Sequence, residues 1–193
     1  IEIHLKKHEF LAKSFIDKFR GIVAELKTDK PIQYILGETE FAGVDFQLNS
    51  DTLIPRPETE ELVMWMTESG LESGMKVLDV GTGSGCIIVS LGKLVKGLQL
   101  YGVDISPEAV RQASDNARQN GVEVEFGVRD ILHYEEWEWA RFDVIVSNPP
   151  YVRESEKALM HDRVLNYEPG RALFVSDDDP LLFYRKIAAF GLR

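Results

Sequence analysis

The apolar positions along the chain change period several times, and each change marks an element. From His8 to Leu26 they fall at steps of three and four, with Leu11, Phe15, Phe19, Ile22 and Leu26 on one stripe, which predicts an amphipathic helix. Pro31 to Gly37 reads as a turn, and Glu38 to Leu48 as a β-hairpin that reverses near Gly43. Pro57 suits the first position of a further helix, whose amino end is favoured by Glu58, Glu60 and Glu61. Three β/α repeats follow. Short apolar runs at Val77–Val80, Leu98–Val103 and Val122–Val128 predict strands. A helical pattern follows the first run, and Ser106 and Pro107 supply the N-cap and first helical position of the next helix. Phe142–Ser147 predicts a fourth strand, Leu173–Val175 a short extra one, and Pro180–Phe190 a closing helix. The alternation predicts an α/β fold with helices on both faces of a mostly parallel sheet.

The end of the fourth strand carries the most specific chemistry. Asn148-Pro149-Pro150-Tyr151 follows it directly. Two successive prolines have no N–H to give a sheet ladder, so the chain must leave the sheet at Asn148. That exit lies at a strand's carboxyl end, where open α/β sheets bind ligands. The Asn148 amide oxygen and the Pro149 carbonyl form a rigid pair of acceptors, Pro150 stiffens the turn, and Tyr151 adds a flat ring. Such a cradle suits a planar –NH2 group, whether a carboxamide or an exocyclic base amine.

The first strand runs into Asp79-Val80-Gly81-Thr82-Gly83-Ser84-Gly85-Cys86. Glycines at 81, 83 and 85 allow close backbone approach and positive φ. The spacing is G-x-G-x-G, whereas the dinucleotide fingerprint places its third glycine one residue later, where this chain has Cys86. Asp79 would repel a pyrophosphate but would pair with an ammonium, so a ligand with an amino-acid end fits better than a diphosphate. Asp104, at the end of the second strand, is placed to accept from ribose hydroxyls, and Ile105 to lie against an adenine face. Asp130 is placed to accept from the adenine amino group, with Ile131 beside the ring.

Glycine loop, ribose acid, adenine acid and Asn-Pro-Pro-Tyr at the ends of four successive strands resemble the class I S-adenosylmethionine-dependent methyltransferases, and the Asn-Pro-Pro-Tyr variant resembles those that methylate planar nitrogens. Pro31-Ile32-Gln33-Tyr34-Ile35-Leu36-Gly37, Leu53-Ile54-Pro55-Arg56-Pro57-Glu58-Thr59-Glu60 and Tyr167-Glu168-Pro169 are similar to the HemK/PrmC family of glutamine-N5 methyltransferases. The resemblance implies a Rossmann-like sheet, S-adenosylmethionine as cofactor and S-adenosylhomocysteine as product. It implies that Asp79, Gly81, Thr82, Gly83, Ser84, Gly85, Asp104, Ile105, Asp130, Ile131 and Asn148 hold the cofactor, and that Asn148, Pro149, Pro150 and Tyr151 hold the reacting amide. It also implies as substrate the glutamine of the Gly-Gly-Gln motif in class I peptide-chain release factors, in the cytoplasm. Residues 1–30 would be the tail of a helical substrate-recognition domain, 31–55 a hairpin linker, and 56–193 the methyltransferase domain, with strands of the family's sheet missing at its carboxyl end.

Charge and composition narrow the alternatives. The chain has 32 acidic against 22 basic residues, a formal charge of −10, and no basic cluster longer than Lys6-Lys7. Nucleic-acid binding draws on Lys and Arg neutralising phosphates, so direct nucleic-acid binding is not expected, and an acidic surface would steer a basic protein partner instead. The remaining alternatives are a base N-methyltransferase of the adenine-N6 type and a cofactor-binding module without catalysis. No apolar run is long enough to span a membrane. Cys86 is the single cysteine, which fits a reducing compartment. His4 and His8 stand one helical turn apart but lack a third ligand, so no metal site is expected. Glu135–Trp139 reads as a connection whose tryptophans cap the sheet edge, and Asp177–Asp179 as a solvated loop.

Overall fold

The computed structural model describes residues 12–138 and 141–193. Helix α1 (Lys13–Leu26) and the short α2 (Ile32–Leu36) lead into a hairpin of β1 (Glu38–Phe41) and β2 (Val44–Gln47). Then come α3 (Pro57–Glu68), β3 (Lys76–Val80), α4 (Cys86–Leu94), β4 (Gln99–Asp104), α5 (Pro107–Gln119) and β5 (Glu125–Val128). A 3-10 segment (Ile131–Glu136) precedes β6 (Val144–Ser147). After it lie β7 (Val152–Arg153), a second 3-10 segment (Glu154–Leu159), α6 (Asp162–Tyr167), β8 (Phe174–Val175) and α7 (Leu182–Gly191). The first helix is seen from Lys13; His4, His8 and Leu11 lie outside the described residues, as does Trp139.

The main sheet is parallel, in the order β5-β4-β3-β6. Alternation along the strands sends Val77, Leu100 and Val146 to one face, where they pack with Ile88, Val89 and Leu91 of α4. Leu78, Val80 and Val103 go to the other face, where Ile131, Trp137 and the α7 residues Phe183, Ile187 and Phe190 cover them. Both faces are thus buried, as a parallel sheet requires. Period two places Asp79 with Val77 on the α4 side.

Five expectations change. The third strand is confined to Glu125–Val128, because Val122 and Val124 join the cluster under α4 instead of extending the ladder. Phe174–Val175 does not extend the main sheet; it pairs in parallel with Val152–Arg153 as a separate two-stranded piece. Trp137 covers a face of the sheet and not its edge: it is buried, with its ring centroid 5.1 Å from that of Phe190. The segment predicted as a turn at Pro31–Gly37 closes into α2, ended by Gly37 at φ 76°. Asp177 is not merely solvated, since its carboxylate accepts from the backbone and hydroxyl of Ser155.

The hairpin turns through Ala42 and Gly43 at φ 49° and 73°, the positive values that a tight two-residue turn needs at both central positions. Its inner face buries Phe41 and Phe46 edge to face. Helix α5 locks it in place. Asn116, fully buried, accepts from the Gln47 N–H at 2.8 Å and donates to the Gln47 carbonyl at 3.0 Å and to the Ser84 carbonyl at 2.9 Å. One side chain therefore joins hairpin, helix and glycine loop. The Asn120 amide adds a bond to the Asp45 carbonyl, and the Asn49 amide a bond to Gln112.

Candidate active site

A cavity of about 280 Å³ opens at the carboxyl ends of β3, β4, β5 and β6. Each glycine of the loop does a different job there. An added Cβ at Gly81 or Gly83 would meet nothing within 4 Å, and both residues line the cavity at positive φ. They leave a backbone cradle that a ligand can approach closely. Gly85 is different. It sits at the amino end of α4 at φ 80°, and a Cβ there would lie 3.1 Å from the Ala113 Cβ. Its smallness lets α4 and α5 pack, and it does not line the cavity.

Asp79 is fully buried beneath the loop and is not part of the cavity wall, so pairing with an ammonium would run through the loop and not by direct contact. Thr82 lies between, lines the cavity and donates its hydroxyl to Asp79 Oδ2 at 2.7 Å. Burial pushes the Asp79 carboxyl up to about 7, with the nearby Asp104 charge adding to the rise and the Thr82 bond opposing it. The folded pKa lies above the ordinary 3.8, so the folded state keeps a proton that the unfolded chain releases. Stability from this group is fully present below pH ~4 and is lost as the pH climbs to ~7. Urea midpoints measured across that window should therefore fall more steeply with pH in the ligand-free wild type than in Asp79→Asn. Parallel profiles for the two proteins would contradict this assignment.

Asp104 ties the second strand to the loop. Its Oδ2 accepts from the Gly83 N–H at 3.0 Å and its Oδ1 from the Ser106 N–H at 2.9 Å, and it lines the cavity. Each oxygen keeps a lone pair for a diol. Ile105, half exposed, and Ile131 supply apolar wall on either side. Asp130 also lines the cavity, but it is occupied locally: Oδ1 accepts from the Leu132 N–H at 2.9 Å and Oδ2 meets His133 Nδ1 at 2.9 Å. An adenine amino group would have to use its remaining lone pairs.

Asn148, Pro149 and Pro150 form the opposite wall. Asn148 Nδ2 donates to Thr59 Oγ1 at 3.2 Å, and Oδ1 has no partner among the described residues. The acceptor that the sequence singles out is thus free, and its orientation is set by a helix 89 residues away. Tyr151 does not line the cavity. Its ring is 57 % exposed at the rim. Burial raises the pKa of Tyr184 on α7, with the Tyr151 phenol the second cause.

The cavity wall also includes residues that the sequence reading did not single out: Arg56 and Thr59 before and within α3, Arg171, and Phe183 on α7. Arg56 Nη2 pairs with Glu168 Oε1 at 2.6 Å, and Glu168 Oε2 accepts from the Ile54 N–H at 3.3 Å. Tyr34, whose phenol burial and the Glu168 charge push up, donates to the Thr52 carbonyl at 2.6 Å. The Pro31, Pro55 and Tyr167 strings are therefore one structural unit that fixes α3 against the cavity. The signal was their shared resemblance; spacing alone could not pair them.

Two observations are compatible with an S-adenosylmethionine-type ligand. The open cradle over Gly81 and Gly83 accepts a main-chain-hugging group. Asp79 Oδ1 and Ser84 Oγ, two of the three buried side-chain polar atoms without a partner among the described residues, lie in or under the loop.

Residues 71–178 match the family described as "Methyltransferase domain", which is more than half of the chain. The release factor glutamine methyltransferase of Bacteroides thetaiotaomicron is 41 % identical over 191 residues, covering 99 % of this chain and 68 % of that protein. The chain belongs to the release factor glutamine methyltransferase family. The enzyme of that name from Flavobacterium psychrophilum is 50 % identical over 180 residues, 91 % of this chain and 63 % of that protein. The chain thus spans about two thirds of the length of these curated family members. Among solved structures, the Pyrococcus abyssi tRNA (uracil-54, C5)-methyltransferase in complex with S-adenosyl-L-homocysteine aligns with a TM-score of 0.50 and 25 % identity, over 78 % of this chain and 36 % of that one. The fold is the Rossmann-like class I methyltransferase fold, as expected from the sequence.

Proposed function

We propose that the chain carries the catalytic domain of an enzyme that transfers a methyl group from S-adenosylmethionine to the side-chain N5 of a glutamine, the one in the Gly-Gly-Gln motif of class I release factors. The observation that carries this reading is Asn148, which lines the cavity beside Pro149 with its NH2 held by Thr59 and its Oδ1 without a partner among the described residues, an acceptor for an amide N–H. The cofactor supplies a methyl group already activated on a sulfonium. Gly81 and Gly83 receive its amino-acid end, with Thr82 and Ser84 as polar partners. Asp104 holds the ribose, while Ile105, Asp130 and Ile131 hold the adenine.

Asn148 Oδ1 and the Pro149 carbonyl accept the two amide N–H groups, and Tyr151 packs against the amide plane from the rim. An amide lone pair is delocalised into its carbonyl and is a poor nucleophile. Acceptors that hold the N–H groups out of plane help to localise the pair and aim it at the methyl carbon. No strong base is required, because the methylated amide cation gives its proton readily to water.

Residues 31–55 act in this reading as a linker, residues 1–30 as part of a helical substrate-recognition domain, and residues 56–193 as the methyltransferase domain. No described helix is long and apolar enough to cross a membrane, and we place the enzyme in the cytoplasm. The formal charge of −10 suits a basic protein partner better than a phosphate backbone. Transfer assays with labelled S-adenosylmethionine should put label on a class I release factor and none on unmethylated DNA or RNA. Label on the nucleic acids alone would replace this reading with base N-methylation. Cofactor binding with no transfer to any of the three would replace it with a binding module.

A further inference from the structure

We propose that Thr59 is a positioning residue for Asn148, holding its NH2 so that the amide oxygen is left for the substrate. This rests on the amide-methylation reading above. A primary amide can sit in two orientations related by a half-turn, and they are chemically opposite. One presents the oxygen, which accepts from a substrate N–H; the other presents an NH2, which meets that N–H donor to donor. The prolines at 149 and 150 fix the backbone but exert no choice between these two. A threonine hydroxyl can donate or accept, and here Thr59 Oγ1 receives Asn148 Nδ2 at 3.2 Å, which pairs the NH2 and leaves Oδ1 unpaired among the described residues for a substrate N–H.

Thr59 is suited to this task. It is 7 % exposed and lies in the first turn of α3, close behind the Arg56–Glu168 pair that anchors the helix start. Its β-branched side chain has few rotamers to wander among. The bond reaches across 89 residues of chain, from a helix outside the β/α repeats to the end of β6. The same residue lines the cavity, so occupation of the cavity and the orientation of Asn148 share one support.

The test uses protein expressed from its complete reading frame, with saturating cofactor and release factor. Thr59→Val keeps the shape and removes the acceptor. It should lower kcat roughly tenfold or more, in the range that misorientation of a reacting group causes. Affinity for S-adenosylhomocysteine should stay within about threefold of wild type, since cofactor contacts elsewhere are intact. Thr59→Ser should recover most of the rate, and Thr59→Ala should not. In an Asn148→Ala background, Thr59→Val should cost nothing further, because there is no amide left to orient.

Wild-type turnover in Thr59→Val, equal impairment of Thr59→Ser and Thr59→Ala, or independent losses in the double variant would each overturn the proposal. If Thr59→Val fails to fold by circular dichroism, the serine and alanine pair still decides. Absence of methyl transfer in the wild type would remove the amide-methylation reading itself, an outcome distinct from the others.

Discussion

Asn148→Ala should lower the rate of methyl transfer by roughly a hundredfold or more while leaving cofactor affinity largely in place. The magnitude follows from what one preorganised polar contact to a reacting group is worth, about 3–4 kcal/mol. The retention of cofactor affinity follows from the geometry. The residues placed to hold the cofactor, Gly81, Gly83, Asp104 and Ile131, sit in the loop after β3, at the end of β4 and in the segment after β5, and their hydrogen bonds do not pass through Asn148. Single-turnover rates with a release factor, set beside calorimetric binding of S-adenosylhomocysteine, separate the two effects. Near-normal turnover would show that the Asn148 oxygen does not hold the amide. A parallel collapse of cofactor binding would show that the side chain belongs to the cofactor site instead.

Asn116→Leu should produce the largest loss of stability among single polar substitutions. The side chain is 0 % exposed and makes three hydrogen bonds to main chain, two to Gln47 and one to Ser84. A leucine of similar size would leave three backbone groups without partners, that of Ser84 fully buried and the two of Gln47 partly so. At about 1–3 kcal/mol for each unsatisfied group, the expected cost is about 3 kcal/mol or more. For a domain of this size that corresponds to a Tm lower by roughly 6–12 °C. Because one of the lost bonds holds the glycine loop, affinity for S-adenosylhomocysteine should fall as well. Thermal unfolding followed by circular dichroism checks the first effect and calorimetry the second. A Tm within ~2 °C of wild type would mean that the hairpin and loop are held by their apolar contacts alone.

Asn116 also shows where reading the sequence ends. The elements and chemical signals written in contiguous residues were legible: the strand–glycine turn–helix unit from Val77 to Leu91, the Ser106-Pro107 helix start, and the exit from the sheet at Asn148. Their conformations follow from φ restrictions, capping and missing N–H groups, all of which act over a few residues. Pairings across the fold were not legible. Asn116 reads as an ordinary polar residue on an exposed helix until the hairpin, 69 residues earlier, is laid against it. The Arg56–Glu168 pair joins residues 112 apart, and Thr59 and Asn148 are 89 apart. Only tertiary packing decides such partners.

Asp79 and Gly85 are an intermediate case. Both belong to the glycine unit, which the sequence marks as a binding loop. Yet period two in β3 already puts Asp79 on the face that α4 covers, and the αL start of α4 against Ala113 makes Gly85 a packing position. A strict strand alternation, applied to Asp79, would have moved it from the cavity wall to its support. Asp130 reads as an adenine partner from its strand-end position, but an acid there also caps the 3-10 segment that begins at Ile131. The two roles use the same oxygens, and the sequence contains nothing that ranks them.

The central claim is that the cradle at Asn148 receives a glutamine amide of a release factor. The measurement that tests it most directly is peptide mapping by tandem mass spectrometry of a class I release factor after incubation with the enzyme and labelled S-adenosylmethionine. The account predicts one methyl group on the side-chain nitrogen of the Gly-Gly-Gln glutamine, absent when Asn148→Ala replaces the wild type at equal concentration and time. A methyl group elsewhere on the release factor, or undiminished methylation of that glutamine by Asn148→Ala, would contradict it.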